Sequence, residues 1–413
     1  METEIPAFET TSSVAEDEFE PRPGIVDEIR AALRLLQRLK GVKGVKGEGF
    51  ADAVLRGLGQ VVFQNSALSG LLILLAISVN SFVYAIAALF GAAVSTYTAM
   101  LLRADRRLVR DGLFGFNGAL TGIAMVVFTS KEYVHGDLPG GGLILYIALA
   151  AAFSTILARA FAFLVRNDRV PRLNFSYCVA TILLLGALHQ FSGLEVTKTV
   201  QPLLPLLHPM SGPQVYSGET WLYGIGTGIS QIFLQDNWLT GVVIVAAIAI
   251  NSRISAVAVI AGSFLAVAAG TFAGAGEAVI RSGLLGYNAA LTALALGGFF
   301  VLLDRAGVMY AALGAVLTAC VWAGLATALA PSGLPVLTLP FVIVTWLMML
   351  AAKGFPILRT IPPERATSPE DNLRRFGTVS LHSWQPAPTQ PTLGSESTDP
   401  ANTEARVYEA SQH

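Results

Sequence analysis

A chain of 413 residues that is 53% hydrophobic and only 13% charged, with a mean hydropathy of +0.60, is not a soluble globular domain. Its formal net charge of −1 says nothing about partners, because the charges sit in the tails and loops, and no nucleic acid is expected. Apolar runs of about 20 residues recur through the middle, long enough to cross a hydrocarbon core roughly 30 Å thick. The composition implies a polytopic protein whose first partner is the lipid bilayer.

Residues 1–47 form a polar N-terminal arm. It opens acidic, without the basic-then-apolar order of a signal peptide. Arg30, Arg34, Arg38, Lys40, Lys43 and Lys46 then suit a basic interfacial helix or a solvated arm on the cytoplasmic face. Residues 48–191 read as a first repeat: a half-spanning helix at about 49–63, then spans at about 67–79, 82–102, 113–129, 142–165 and 174–191. A polar, proline-containing connector occupies 192–217. Residues 218–355 repeat the plan, with a short helix at about 218–233 and spans at about 238–250, 254–273, 283–303, 307–329 and 337–353. Residues 356–413, rich in Ser, Thr, Pro and Gln, read as a disordered cytoplasmic tail.

The two blocks are copies. Gly112-Leu-Phe-Gly-Phe-Asn-Gly-Ala-Leu120 returns as Gly283-Leu-Leu-Gly-Tyr-Asn-Ala-Ala-Leu291, an offset of 171 (288 − 117). The same offset carries Gln60 onto Gln231, Gln64 onto Gln235, and Asn80-Ser81 onto Asn251-Ser252. Arginines after the second and fourth spans place both termini on the cytoplasmic side of the cell membrane. Five spans is an odd number, so the second copy is inverted relative to the first. The expected fold class is therefore all-α, two inverted repeats of five transmembrane helices, each with one half-spanning pore helix. Such repeats place a solute path near the midplane, and broken backbone at that depth is tolerated where it is buried or lines a cavity.

The span interiors hold almost no ionisable side chains, which argues against an ion-coupled carrier. No paired mid-span histidines, Asn-Pro-Ala half-helix openings, nucleophile–base set or metal-ligating group occurs, so neither an enzyme nor a cofactor is expected. Cys178 and Cys320 lie in apolar runs and read as small packing residues. What the repeats supply is Phe63, Phe116, Leu120, Tyr287 and Leu291 as walls of a flat slot, with Gln60 and Gln231 beside the carbonyls at each half-helix end. A narrow apolar slot faced by acceptors suits a small planar solute with several N–H donors. Asn117 and Asn288 read as structural, tying backbone groups at a span start.

Leu58-Gly-Gln-Val-Val-Phe63, Leu68-Ser-Gly-Leu-Leu-Ile73, both Gly-Phe/Tyr-Asn-Gly/Ala-Ala-Leu elements and Leu334-Pro-Val-Leu-Thr-Leu-Pro-Phe341 together resemble the urea transporter family over about residues 48–355. The resemblance implies passive, channel-like movement of urea through a narrow filter in each protomer of a homotrimer. By position it implies that Gln60 and Gln231 join the acceptor ladders. Phe63, Phe116, Leu120, Ile232, Leu234, Tyr287 and Leu291 would form the walls, and Thr338 would offer its hydroxyl at the constriction. Asn174 stands where the second half has Thr338, so the constriction is expected to be narrower or differently selective. Tyr287 brings a hydroxyl where the first half has Phe116, and Leu234 makes one wall aliphatic. Ammonia, water or short amides are the alternative permeants; a non-transporting receptor or scaffold is the alternative of another class.

Overall fold

The computed structural model describes residues 49–129, 140–165, 170–188 and 214–378. The arm 1–47, most of the connector and residues 379–413, all given roles above, lie outside the described residues. The first copy consists of α1 (Phe50–Gln60), α2 (Ala67–Asn80), α3 (Phe82–Leu101), the short α4 (Arg106–Arg110), α5 (Gly115–Thr129), α6 (Gly141–Leu164) and α7 (Phe175–Leu188). The second consists of α8 (Gly218–Ser230), α9 (Trp238–Asn251), α10 (Arg253–Phe272), α11 (Glu277–Arg281), α12 (Gly286–Leu294), α13 (Arg305–Leu329) and α14 (Leu339–Ala352). Helix α15 (Pro369–Phe376) has no counterpart in the first copy.

The repetition extends to individual hydrogen bonds. Gln60 Nε2 donates to Asp111 O at 2.8 Å, and Gln231 Nε2 to Ser282 O at 3.1 Å. Gln64 Nε2 donates to Val62 O, and Gln235 Nε2 to Phe233 O. Ser81 and Ser252 cap α3 and α10, each accepting from the N–H three residues on. Gly112 and Gly283 both sit at φ +72, the left-handed turn each motif needs before α5 and α12. Tyr146 and Tyr310 each donate to a carbonyl of the last helix of their own copy. The copies also exchange contacts: Asn80 Nδ2 donates to Gln235 Oε1 at 2.9 Å while Asn251 Nδ2 donates to Gln64 Oε1 at 2.8 Å. The second bond is the first with each residue replaced by its repeat equivalent, the reciprocal pattern of an isologous contact.

Helix lengths vary as widely as the expected spans, and the short first span of each copy is found. Among the described residues, α3, α6, α10 and α13 (with its closing 3-10 turn) are long and apolar enough to cross a membrane alone. A fifth crossing exists only if α8 and α9, bent by 69°, are taken together. Helices α2, α7 and α14 have 14 residues each, a rise of about 21 Å, short of the roughly 30 Å core. The expected span 283–303 is also not one helix. It breaks at Gly297-Gly298 into a π-turn and extended chain, where its first-copy counterpart α5 runs unbroken to Thr129. Two adjacent glycines lower the cost of that break.

Part of the expected disordered tail is ordered. Arg359 O accepts from Leu302 N, and Ile361 N donates to Phe300 O, an antiparallel pairing about Val301 and Thr360. Arg359 forms a 2.9 Å ion pair with Asp304, the cap of α13. Helix α15 is capped by Ser368, and its Asn372 is fully buried. Glu370 accepts from Ser252 Oγ at 2.7 Å and Ile254 N at 3.0 Å. Burial alone raises the Glu370 carboxyl, but the bonds from the Ile254 N–H and the Ser252 hydroxyl outweigh it and hold its pKa below the ordinary carboxylate value. A carboxyl lowered on folding stabilises the folded chain above its unfolded pKa and loses that contribution as pH falls through the folded one. Melting temperature in detergent should therefore fall on acidification, and Glu370→Gln should blunt that fall; an identical acid limb in the variant would contradict the assignment.

Candidate functional site: two broken helices and a shared constriction

Helix α1 stops at Gln60 and α8 passes into a 3-10 turn, Gln231–Phe233. Each break is closed by a non-glycine residue with left-handed backbone, Phe63 at φ 59 and Leu234 at φ 56. A second matched pair, Leu173 at φ 47 and Leu337 at φ 52, precedes α7 and α14. Such residues cost about 1–3 kcal/mol each and persist where surrounding structure over-determines them, which is the usual mark of a functional site. None of the four is glycine, so nothing in their side chains announced the strain.

The half-helix ends are less open than their carbonyl count suggested. Gly59 O accepts from Val62 N and Gln64 N, Gln60 O from Phe63 N, Gln231 O from Leu234 N, and Ser230 O from Gln235 N. Gln60 O and Gln231 O keep a second lone pair toward the break. The Gln60 and Gln231 amides are oriented by the carbonyls their Nε2 atoms meet, which leaves Oε1 as each side chain's acceptor. Close packing brings the ends onto the next motif. A Cβ on Gly57 would lie 2.9 Å from Gly115 Cα, and one on Gly228 3.0 Å from Gly286 Cα. That places Gln60 beside the Phe116 end of α5, and Gln231 beside the Tyr287 end of α12.

The wall residues separate by burial. Leu120 and Leu291 are fully enclosed, as are Ile232 and nearly Tyr287, whereas Phe116, Phe63 and Leu234 are half-buried. Phe63 packs on Phe299 at 4.8 Å, Phe300 at 5.6 Å and Phe341 at 6.4 Å between ring centroids, all from the other copy. Phe299 and Phe300 had not been expected near the site. Their signal was the Gly-Gly pair before them, but their meeting with Phe63 spans more than two hundred positions.

The regions expected at the constriction join the copies. Thr338 Oγ1 lies 3.1 Å from Cys178 Sγ, and Cys178 N donates to the backbone of Asn174 at 3.2 Å. Cys178, read from sequence as a packing residue, therefore ties Thr338 to the Asn174 loop. In the second copy Leu337 O accepts from both the Tyr287 hydroxyl and Asn288 Nδ2, at 3.1 Å from the latter. Asn288 Oδ1 also accepts from Phe341 N, as Asn117 Oδ1 does from Tyr177 N. Both asparagines thus tie backbone at a span start, though of α7 and α14 and not of their own helices. The first copy lacks the other half of this network. Phe116 has no hydroxyl, and Asn117 Nδ2, Asn174 Oδ1 and Ser176 Oγ are buried without hydrogen-bond partners. The matched Thr181 and Thr345 hydroxyls (345 − 181 = 164, as 338 − 174) are buried and unpartnered too. Helices α5, α7, α12 and α14 carry no Asp, Glu, Lys, Arg or His.

Broken helices, strained termini and uncharged polar atoms in a shell of apolar helices define the class: a helical membrane protein of the channel-like transporter type. The model of the urea transporter family matches residues 51–353. The chain is 30% identical to Urea transporter 1 of Ovis aries and 31% identical to Urea transporter 1 of Rattus norvegicus. Each match runs over 323 residues, 78% of this chain and 82% of the relative. The chain belongs to the urea transporter family.

Proposed function

We propose that this protein conducts urea down its gradient across the cell membrane, without coupling to an ion and without covalent chemistry. The observation that carries the reading is the family match over residues 51–353. The geometry supports it: the helices around the constriction hold hydroxyls and amides but no titratable carboxylate, imidazole or amine. A neutral disc that sheds water needs its N–H groups met, since each buried unpaired polar group costs about 1–3 kcal/mol. Gln60 and Gln231 with the adjoining carbonyls, and then Asn174 and Thr338, would meet them in turn. Phe63, Phe116, Leu120, Ile232, Leu234, Tyr287 and Leu291 would hold the disc flat. Because the first copy keeps unpartnered amide atoms where the second copy satisfies its own, the Asn174 side is proposed as the more polar wall.

The reading further places the copies in opposite orientations across the bilayer, with both termini cytoplasmic, and assembles three copies of the chain, each with its own path. The reciprocal Asn80–Gln235 and Asn251–Gln64 bonds support the inversion, since a two-fold relation between the copies produces such exchanged pairs.

The test is urea influx into liposomes holding the purified protein. Saturable flux with no proton or sodium gradient is expected, and absent flux would leave a receptor or scaffold. Gln60→Ala and Thr338→Val should each lower flux about tenfold, the equivalent of one hydrogen bond lost at the barrier. Unchanged flux in both would remove the site assignment.

A further inference from the structure

The second copy unwinds where the first stays helical, and there the tail docks. Where the first copy has continuous helix at Val126–Thr129, the second has Gly297, Gly298, Phe299 and Phe300 (offset 171), unwound. Unwinding frees backbone carbonyls that a helix would have used. Asn372 supplies donors: its Nδ2 lies 2.8 Å from Gly298 O and 3.1 Å from Phe299 O. Its Oδ1 accepts from the Thr367 N–H and hydroxyl, which fixes the amide's orientation. Ile361 N takes the next carbonyl, Phe300 O, at 2.7 Å.

The fit is tight. Gly298 holds φ +109, and a Cβ there would stand 2.7 Å from Pro369 Cβ. Glu370, the residue after Pro369, anchors α15 to the start of α10 through Ser252 and Ile254. Phe299 and Phe300, whose backbone is held this way, are two of the three rings packed on Phe63. Phe63 is itself half-buried and strained, so its ring position depends on what stands behind it.

We infer that Asn372, with Glu370, is a positioning residue for permeation: by fixing the Gly298–Phe300 backbone from the tail, it sets the place of the Phe63 ring and so the width of the slot. The inference rests on Phe63 lining the path, as proposed above. A tail segment outside both repeats then acts on selectivity without touching the solute. Loss of the Asn372 donors orphans two carbonyls and frees the π-turn to move, and the aromatic wall loosens with it.

The experiment compares permeability to urea and to thiourea, the same disc with a larger sulfur, in liposomes bearing full-length variants. Asn372→Ala and Glu370→Ala are each expected to raise the thiourea-to-urea ratio about threefold or more, commensurate with one modest hydrogen bond. Arg374→Ala, on the exposed face of α15, should leave it unchanged. A ratio that stays at the wild-type value in Asn372→Ala, whether total flux holds or falls, overturns the inference, because a merely structural role lowers both permeabilities together. If Asn372→Ala does not yield folded protein, Glu370→Ala decides alone by the same criterion. Phe63→Ala separates the two readings: if it leaves the ratio unchanged, the slot assignment is wrong. If it shifts the ratio while the tail variants do not, only the positioning role fails.

Discussion

Gly70→Ala is expected to cost about 3 kcal/mol or more and to remove most of the folded protein recovered in detergent. A Cβ at Gly70 would lie 1.8 Å from Leu55 O and 2.7 Å from Leu55 C, so α1 and α2 meet backbone to backbone. A flexible side chain turns aside from such a methyl, but a helical carbonyl cannot. The same Cβ would stand 3.2 Å from Gly59 N, next to the last turn of α1. Separating the helices would therefore displace Gln60 and the break that follows it. The repeat supplies its own replicate: at Gly241 the Cβ would lie 2.0 Å from Gly226 O, and Gly241→Ala should cost a similar amount. Gly186→Ala is the contrast. It sits in α7 with nothing within 4 Å of its Cβ, and alanine there should add about 0.5–1 kcal/mol of helix stability. Thermal melts followed by size-exclusion recovery measure all three, and equal melting of Gly70→Ala and wild type would refute the close approach.

The second large effect is expected at Asn288. Its side chain donates to Leu337 O and accepts from Phe341 N, both in the bend that presents Thr338. Asn288→Ala leaves the Phe341 N–H buried and unmet, at about 1–3 kcal/mol, and removes one of two donors holding Leu337 in its left-handed conformation. Asn117→Ala also strands an N–H, that of Tyr177, but it deletes an Nδ2 that has no partner to lose. Asn288→Ala should therefore destabilise more than Asn117→Ala, by about 1 kcal/mol, the worth of the extra bond. It should also lower urea flux more, because Thr338 moves with the bend. Melting temperature and liposome flux on the two variants check this; the reverse order would show that the first copy's asparagine has a partner the geometry does not give it.

Residues that repeat were the legible ones. The offset of 171 located both half-helices, paired the glutamines and marked Asn117 and Asn288 as structural, because two copies of one solution leave the same polar residue at the same bend. Contacts between the copies and backbone strain were hidden. The Cys178–Thr338 contact joins residues 160 apart, and sulfur in an apolar run looks like packing. The left-handed residues Phe63, Leu173, Leu234 and Leu337 have ordinary side chains, so only the backbone reveals their strain. The tail was misread by averaging. Its Ser-, Thr- and Pro-rich composition spans 356–413, but Ser368-Pro-Glu-Asp371 is a capped helix start with acid in the first turn, and it stood legible in that stretch. The span at 283–303 reads as one helix because hydropathy continues across Gly297-Gly298, where the backbone does not.

The exchanged amides set a constraint on the order of synthesis. Gln64 is 1% exposed and its oxygen is met by Asn251, a residue translated 187 positions later. Until Asn251 is made, the Gln64 oxygen lacks the donor it meets in the folded chain. The leading half cannot complete these bonds without its trailing twin. Two such halves expressed as separate polypeptides should accordingly mature only when made together.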